Sequence, residues 1–296
     1  MHPNSFRFAL GQAAITVFRS AGFRAPLHEL MVVPEPDRTP KLNRLLDEPT
    51  TFPCWSIHIA LGPASVLVDP GRYIAPPDDP WWLPAAEIPP DLSAQLPAAG
   101  IDPASLTHVV ITHLHDDHFG AAWCASTPCF PNARHLLGRP DWDSADFRQW
   151  LADPDSSAHR ILGGLHDRGL VELVEGARTL VEGIDLIPAP GETPGHQIVR
   201  VHSRGRTLYC LGDLYHHALE VSRPEWMAAW TDAEAAGRSR AMLVERALAE
   251  DALLIATHIP APGRLRRTPA GVEWQPAEDL PVMSYREEHS SATRQN

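Results

Sequence analysis

Lysine is nearly missing from this chain: Lys41 is the only one, and every other basic position is arginine. Acidic residues outnumber basic ones by 37 to 25, for a formal net charge of −12. The lack of a basic stripe argues against a nucleic-acid binder, and the lack of a polybasic cluster argues against adhesion to an anionic membrane. Long apolar runs are missing too, none approaching the ~18 residues that span a bilayer. The apolar stretch 6–18 is interrupted by Arg7 and Gln12 and has no clean small-residue cleavage site after it. It reads as two short strands around Gly11-Gln12 and not as a signal peptide. Cysteine is scarce, and Cys54, Cys124, Cys129 and Cys210 show neither paired zinc spacing nor a CxxC pattern. Cys124 and Cys129 could approach one another, but reduced thiols in a cytoplasmic protein are the simpler expectation.

What is present is ample apolar material, 44% of 296 residues, enough for one large α/β unit spanning 1–296. Thirty prolines fall mostly between the periodic runs and predict long, stiffened surface loops. Residues 20–50 carry Pro26, Pro34, Pro36, Pro40 and Pro49 and read as a Pro-rich arm. Such an arm suits the mouth of a site, a dimer contact or a passive wrap, so homodimer and closed monomer both stay open. Tyr73, Trp81 and Trp82 lie in a proline-broken stretch that reads as an aromatic lid or interface loop. Residues 286–296 are polar and predict a frayed tail.

The chain is organised around Thr112-His113-Leu114-His115-Asp116-Asp117-His118-Phe119-Gly120, which follows the short β-branched run 106–111. Packed into an ordinary core, three imidazoles and two carboxylates within six positions would desolvate badly. At the lip of a strand they make a divalent-metal site, and imidazole with carboxylate suits zinc, iron or manganese better than a structural thiolate site. His113 and His115 alternate by two and share a face in extended backbone, while Asp117 and His118 follow the turn. That set is enough to place two metals.

Downstream, Pro194-Gly195-His196 precedes the strand 197–201, Gly212-Asp213 closes the strand 206–211, and His258 closes 253–257. A single His or Asp past a strand is more often a structural polar group than a ligand. The ordered set reverses that, because open sheets gather ligands at the carboxyl ends of their strands. Residues 54–60 and 64–69 read as a hairpin, 91–100 as a helix capped by Asp91, 140–151 as a helix, and 233–249 as an amphipathic helix.

The ordered motifs resemble the metallo-β-lactamase superfamily from the first hairpin to His258. The resemblance implies a four-layer αββα sandwich of two mixed β-sheets flanked by helices. It implies that His113, His115 and His196 hold one metal, that Asp117, His118 and His258 hold a second, and that Asp213 bridges them. An Asp at the bridge differs from the thiolate usual in true β-lactamases. The 45 residues from Asp213 to His258 (258 − 213) leave no room for an inserted nuclease domain. The glyoxalase II helical domain and the flavodiiron flavin domain are likewise not seen. What remains is similar to the lactonase and organophosphate hydrolase-like group. Its lactonases place a Tyr shortly after the bridging Asp. Here Tyr215 comes one position early and His216 takes the next place, so both are candidates to assist an oxyanion, with His217 as a residue that orients a ligand.

The expected function is a dinuclear metal-dependent hydrolase of the lactonase or esterase type, with two divalent ions, zinc first and iron or manganese as alternatives. A metal-bridging hydroxide would attack the carbonyl and Asp117 would carry the proton. The substrate is expected to be small, uncharged and partly hydrophobic. Competing expectations on the same metals are organophosphate or aryl-ester hydrolysis and hydrolytic dehalogenation. A catalytically weak metal-binding sensor and a di-iron redox protein stand as readings of another class.

Overall fold

The computed structural model describes residues 4–35, 39–72, 90–278 and 280. Tyr73, Trp81 and Trp82 and the tail 286–296 lie outside the described residues. Seven strands form the first sheet in simple chain order: β1 (Ser5–Leu10), β2 (Ala13–Pro26), β3 (Pro49–Leu61), β4 (Ala64–Val68), β5 (His108–Val110), β6 (Arg134–Gly138) and β7 (Val171–Val174). Its first four strands pair antiparallel and the last three join in parallel. The second sheet is also in chain order: β8 (Arg178–Val181), β9 (Ile184–Pro188), β10 (Gln197–Ser203), β11 (Arg206–Cys210), β12 (Leu253–Ile255), β13 (Gly263–Thr268) and β14 (Gly271–Pro276). Only β11 and β12 run parallel in it.

Strand alternation explains the layers, because successive side chains point to opposite faces of a sheet. Val66 and Val68 of β4, Val199 and Val201 of β10, and Leu253 and Ile255 of β12 meet in one apolar core between the two sheets. Their alternates turn outward: Leu67 packs with α2 (Leu92–Ala98) and α3 (Ala145–Ala152), while Ile198, Tyr209 and Leu254 pack with α4 (Ala233–Ala249). Helix, sheet, sheet, helix is the four-layer sandwich expected from the sequence.

Several local expectations change. The supposed arm 20–50 is largely regular: β2 extends to Pro26, and Thr39 caps α1 (Pro40–Asp47) by accepting from the Leu42 N–H. Pro40 sits at the start of α1, where a proline costs no helical hydrogen bond, so its presence did not signal a loop. The helix read over 140–151 is two, Arg139–Trp142 and α3, interrupted where Ser144 caps the second. Residues 120–124 form a 3-10 turn and a two-residue strand. Cys124 and Cys129 are disulfide-bonded across the small 123–128 hairpin, with Cα atoms 5.1 Å apart, which corrects the reading of four reduced thiols. No helix of the described residues is long and apolar enough to cross a membrane.

Candidate metal centre

The site lies where the carboxyl ends of β4, β5, β11 and β12 meet. Past β5, the chain turns through a one-turn helix, Asp116–Phe119, which sends His113, His115, Asp117 and His118 to one point. From the other sheet, His196 enters ahead of β10, Asp213 follows β11, and His258 follows β12. Gly212 lets Asp213 come so close. Its φ is +53°, and a Cβ there would lie 2.6 Å from Thr112 Oγ1 and 2.8 Å from His196 Nε2.

All seven residues singled out in the sequence converge. Asp213 Oδ2 lies 3.2 Å from His258 Nε2, 3.3 Å from His118 Nε2 and 3.8 Å from His113 Nε2. Asp117 reaches His118 Nε2 at 3.7 Å and His258 Nε2 at 3.5 Å. The Nδ1 of His115 is 3.0 Å from His113 Nε2, and the His196 ring centroid is 5.2 Å from that of His113.

The outward ring nitrogens are fixed by the fold. His118 Nδ1 faces Asp69 Oδ2 at 2.9 Å, His196 Nδ1 faces the Ala189 carbonyl at 3.0 Å, and His258 Nδ1 faces the Pro53 carbonyl at 2.8 Å. A carboxylate or carbonyl at Nδ1 holds the N–H there and turns the Nε2 lone pair inward, free for a cation in His118 and His258 and 3.2 Å from the Asp213 backbone N–H in His196. Asp69 also accepts from the backbone N–H and hydroxyl of Thr112, clamping the start of the motif to the end of β4.

The electrostatics match. Burial alone would raise Asp213, but His258 and His118 beside it hold its carboxyl well below the ordinary range. Burial would lower His118 and His258, yet Asp213 raises both well above the usual imidazole value. Burial and neighbouring imidazoles push His113 well down, so it is the neutral form there. Asp213 Oδ1 and His118 Nε2 are buried with no hydrogen-bond partner among the described residues. Buried lone pairs left without a partner at one point are costly unless a cation joins them. The residues therefore fit a divalent metal.

The sequence reading missed Glu192, Asp69 and Trp230. Glu192 is buried beside His115 and His216, at 3.4 and 3.6 Å, and could join His113, His115 and Asp213 around an ion. The one hint was a carboxylate in the same Gly- and Pro-bounded loop as His196. Burial would raise its pKa, but His216 beside it holds it down to about 2.

Tyr215 and His216 part company. Tyr215 is buried in the core against α4, the Arg240 guanidinium 4.8 Å above its ring, and burial pushes its phenol upward. His216 faces the candidate ligands, its Nε2 3.5 Å from Asp213 Oδ2 and its ring stacked on His258. The Nδ1 of His217 accepts from the Leu219 N–H and so stiffens its own loop. That loop is anchored by Glu220, which accepts from the backbone N–H groups of His216 and His217 and pairs with buried Arg240.

Four of the seven candidate ligands, His115, Asp117, Asp213 and His258, line a cavity of about 460 Å³. Asp117 and His216 line it, Phe23, Leu30, Trp150 and Trp230 give apolar walls, and Arg72 stands at its edge 3.8 Å from Asp116.

The comparisons with known proteins agree with this geometry. The family model of the Metallo-beta-lactamase superfamily matches residues 49–258. An N-acyl homoserine lactonase, AttM, of Azorhizobium caulinodans is 31% identical over 166 residues, covering 52% of this chain and 59% of the relative. An N-acyl homoserine lactonase of Bacillus cereus is 26% identical over 163 residues, covering 55% and 60%. The chain thus spans about three fifths of the length of these curated relatives. Among solved structures, the dizinc quorum-quenching lactonase AidC superposes with a TM-score of 0.72 at 20% identity, covering 93% of this chain and 98% of its own. The hydrolase AbOPH superposes with a TM-score of 0.76 at 16% identity, covering 93% and 98%. The fold, the convergent ligands and the family match over most of its length together place the chain in the metallo-beta-lactamase superfamily.

Proposed function

We propose that this protein is a dinuclear, zinc-dependent hydrolase that opens lactones carrying an apolar chain. The observation that carries the reading is the set of imidazole Nε2 atoms gathered around Asp213, which with His258 lines an apolar-walled cavity. The lactonase relatives support the substrate class. His113, His115 and His196 would hold one ion and Asp117, His118 and His258 the other, with Asp213 between them. When bound, two such ions supply Lewis-acid polarisation and a water acidified towards neutrality.

The chain's own groups do the rest. Asp117 is partly open to the cavity, which suits it to pass a proton to the departing alkoxide. His216 faces the same space, and an N–H there can donate to a carbonyl oxygen as charge develops on it. Phe23, Leu30, Trp150 and Trp230 exclude water and favour apolar groups, and Arg72 already has Asp116 as a partner, so a neutral substrate suits the walls.

The test is metal analysis of the purified protein with parallel rates on N-acyl lactones, a phosphotriester and an aryl ester. The reading expects about two equivalents of metal, loss of rate on chelation with recovery on adding zinc, and the highest kcat/KM on a lactone. Protein with no stoichiometric metal, or one that favours the phosphotriester, would overturn it.

A further inference from the structure

Trp230 is one of the few large apolar side chains left exposed among the described residues, at 51%, and it stands at the cavity wall. Half-exposed indoles are ordinarily free to turn, but this one is tethered. Its Nε1 donates to Glu192 Oε1, and the hydroxyl of the next residue, Thr231, donates to Glu192 Oε2 at 3.1 Å. The surrounding backbone is also fixed. Ala229 N–H bonds to the Leu30 carbonyl, Asp232 N–H bonds to the Gly191 carbonyl, and Asp232 caps α4. Only the indole orientation remains to be set, and Glu192 sets it.

The same carboxylate oxygen faces His115 and His216, and the indole meets both rings edge-on, at centroid distances of 6.3 and 6.0 Å. One buried acid thus joins the apolar wall to the polar floor. We propose that Trp230 is the specificity-determining wall for the substrate's apolar chain, and that Glu192 is its positioning residue. The inference rests on the lactonase reading above. A held indole presents a flat apolar face at low entropic cost, whereas a freely rotating one would lose most of the gain on ordering. Discrimination between chain lengths then arises where the chain lies along Trp230, since each methylene taken out of water adds to binding.

The experiment measures kcat and KM for N-acyl homoserine lactones of short and long acyl chain, with metal content determined for every variant. Trp230→Ala is expected to lower the long-to-short ratio of kcat/KM about tenfold, mainly through KM for the long chain, with metal content maintained. Glu192→Ala should lower the ratio in the same direction. Glu192→Gln, whose amide oxygen still accepts from the indole, should restore most of it. An unchanged ratio in Trp230→Ala overturns the inference. So does a Glu192→Ala protein that loses metal and slows on both chain lengths equally, which would make Glu192 a ligand instead. If the unaltered enzyme opens no lactone, the lactonase reading fails by itself, and the ratio is read on p-nitrophenyl esters of increasing chain length. Failure on both series overturns both.

Discussion

Oδ2 of Asp69 lies 2.9 Å from Nδ1 of His118, joining the end of β4 to the centre of the metal-binding motif. The same carboxylate holds Thr112 through two further hydrogen bonds, and Asp69 takes a left-handed φ of 49° to do so. Asp69→Asn keeps the shape but cannot accept at both oxygens. Metal affinity should fall about 10- to 100-fold with the fold retained, measured by competition with a chromophoric chelator. Wild-type affinity in that variant would show that Asp69 serves only the backbone.

The contrast between Tyr215 and His216 gives a paired prediction. Tyr215→Phe removes a hydroxyl that lies in the core against α4, so kcat/KM should change by less than about threefold. His216→Ala removes the group that faces Asp213, and kcat should fall by about 100-fold or more. Steady-state kinetics on one lactone decides both, and equal losses would refute the division of roles.

Glu220 and Arg240 form a buried pair whose polar atoms are nearly all engaged, Arg240 also donating to the carbonyls of Leu214, Pro224 and Trp226. Cutting one member leaves a charge in the interior. Glu220→Gln should cost about 3–5 kcal/mol, read from the urea midpoint, and should also slow turnover because it loosens the backbone of His216 and His217. A variant as stable as the wild type would mean that the pair is not desolvated in solution.

His135 supplies a pH dependence away from the candidate metal centre. Burial holds it at about 4 in the folded protein, against 6.5 for the free side chain. Between those values the unfolded chain takes up the proton and the folded one does not. Stability therefore falls as pH drops from 6.5 towards 4, by roughly 3 kcal/mol in full. His135→Leu should flatten that part of the stability profile in thermal melts from pH 7 to pH 4.5. A slope identical to that of the wild type would show that other groups carry the acid sensitivity.

The sheets and the convergence of the seven site side chains could be read in the sequence because six of those side chains follow a short apolar strand and His196 directly precedes one. The groups that hold them could not. Asp69 and Glu192 carry no spacing signal, and their importance arises only when β4 and the 189–196 loop are brought against the motif. Tyr215 is a candidate only through the resemblance to lactonases, and the backbone turns it into the core and leaves the next residue, His216, facing Asp213. Thr39 and Pro40 hide a helix start behind a proline-rich composition. The Cys124–Cys129 bond depended on a hairpin that neither cysteine announces.

Because the strands of each sheet follow chain order, each sheet is a continuous piece of polypeptide, 5–174 and 178–276, joined at the exposed linker around Gly176. Neither piece owns the metal centre: the first brings His113, His115, Asp117 and His118, and the second brings His196, Asp213 and His258. If these side chains hold a cation, its capture and the docking of the two halves would be linked equilibria, each strengthening the other. A polypeptide severed at Gly176 would be expected to reassemble more tightly with zinc than without it, the ion acting as a clasp across the seam.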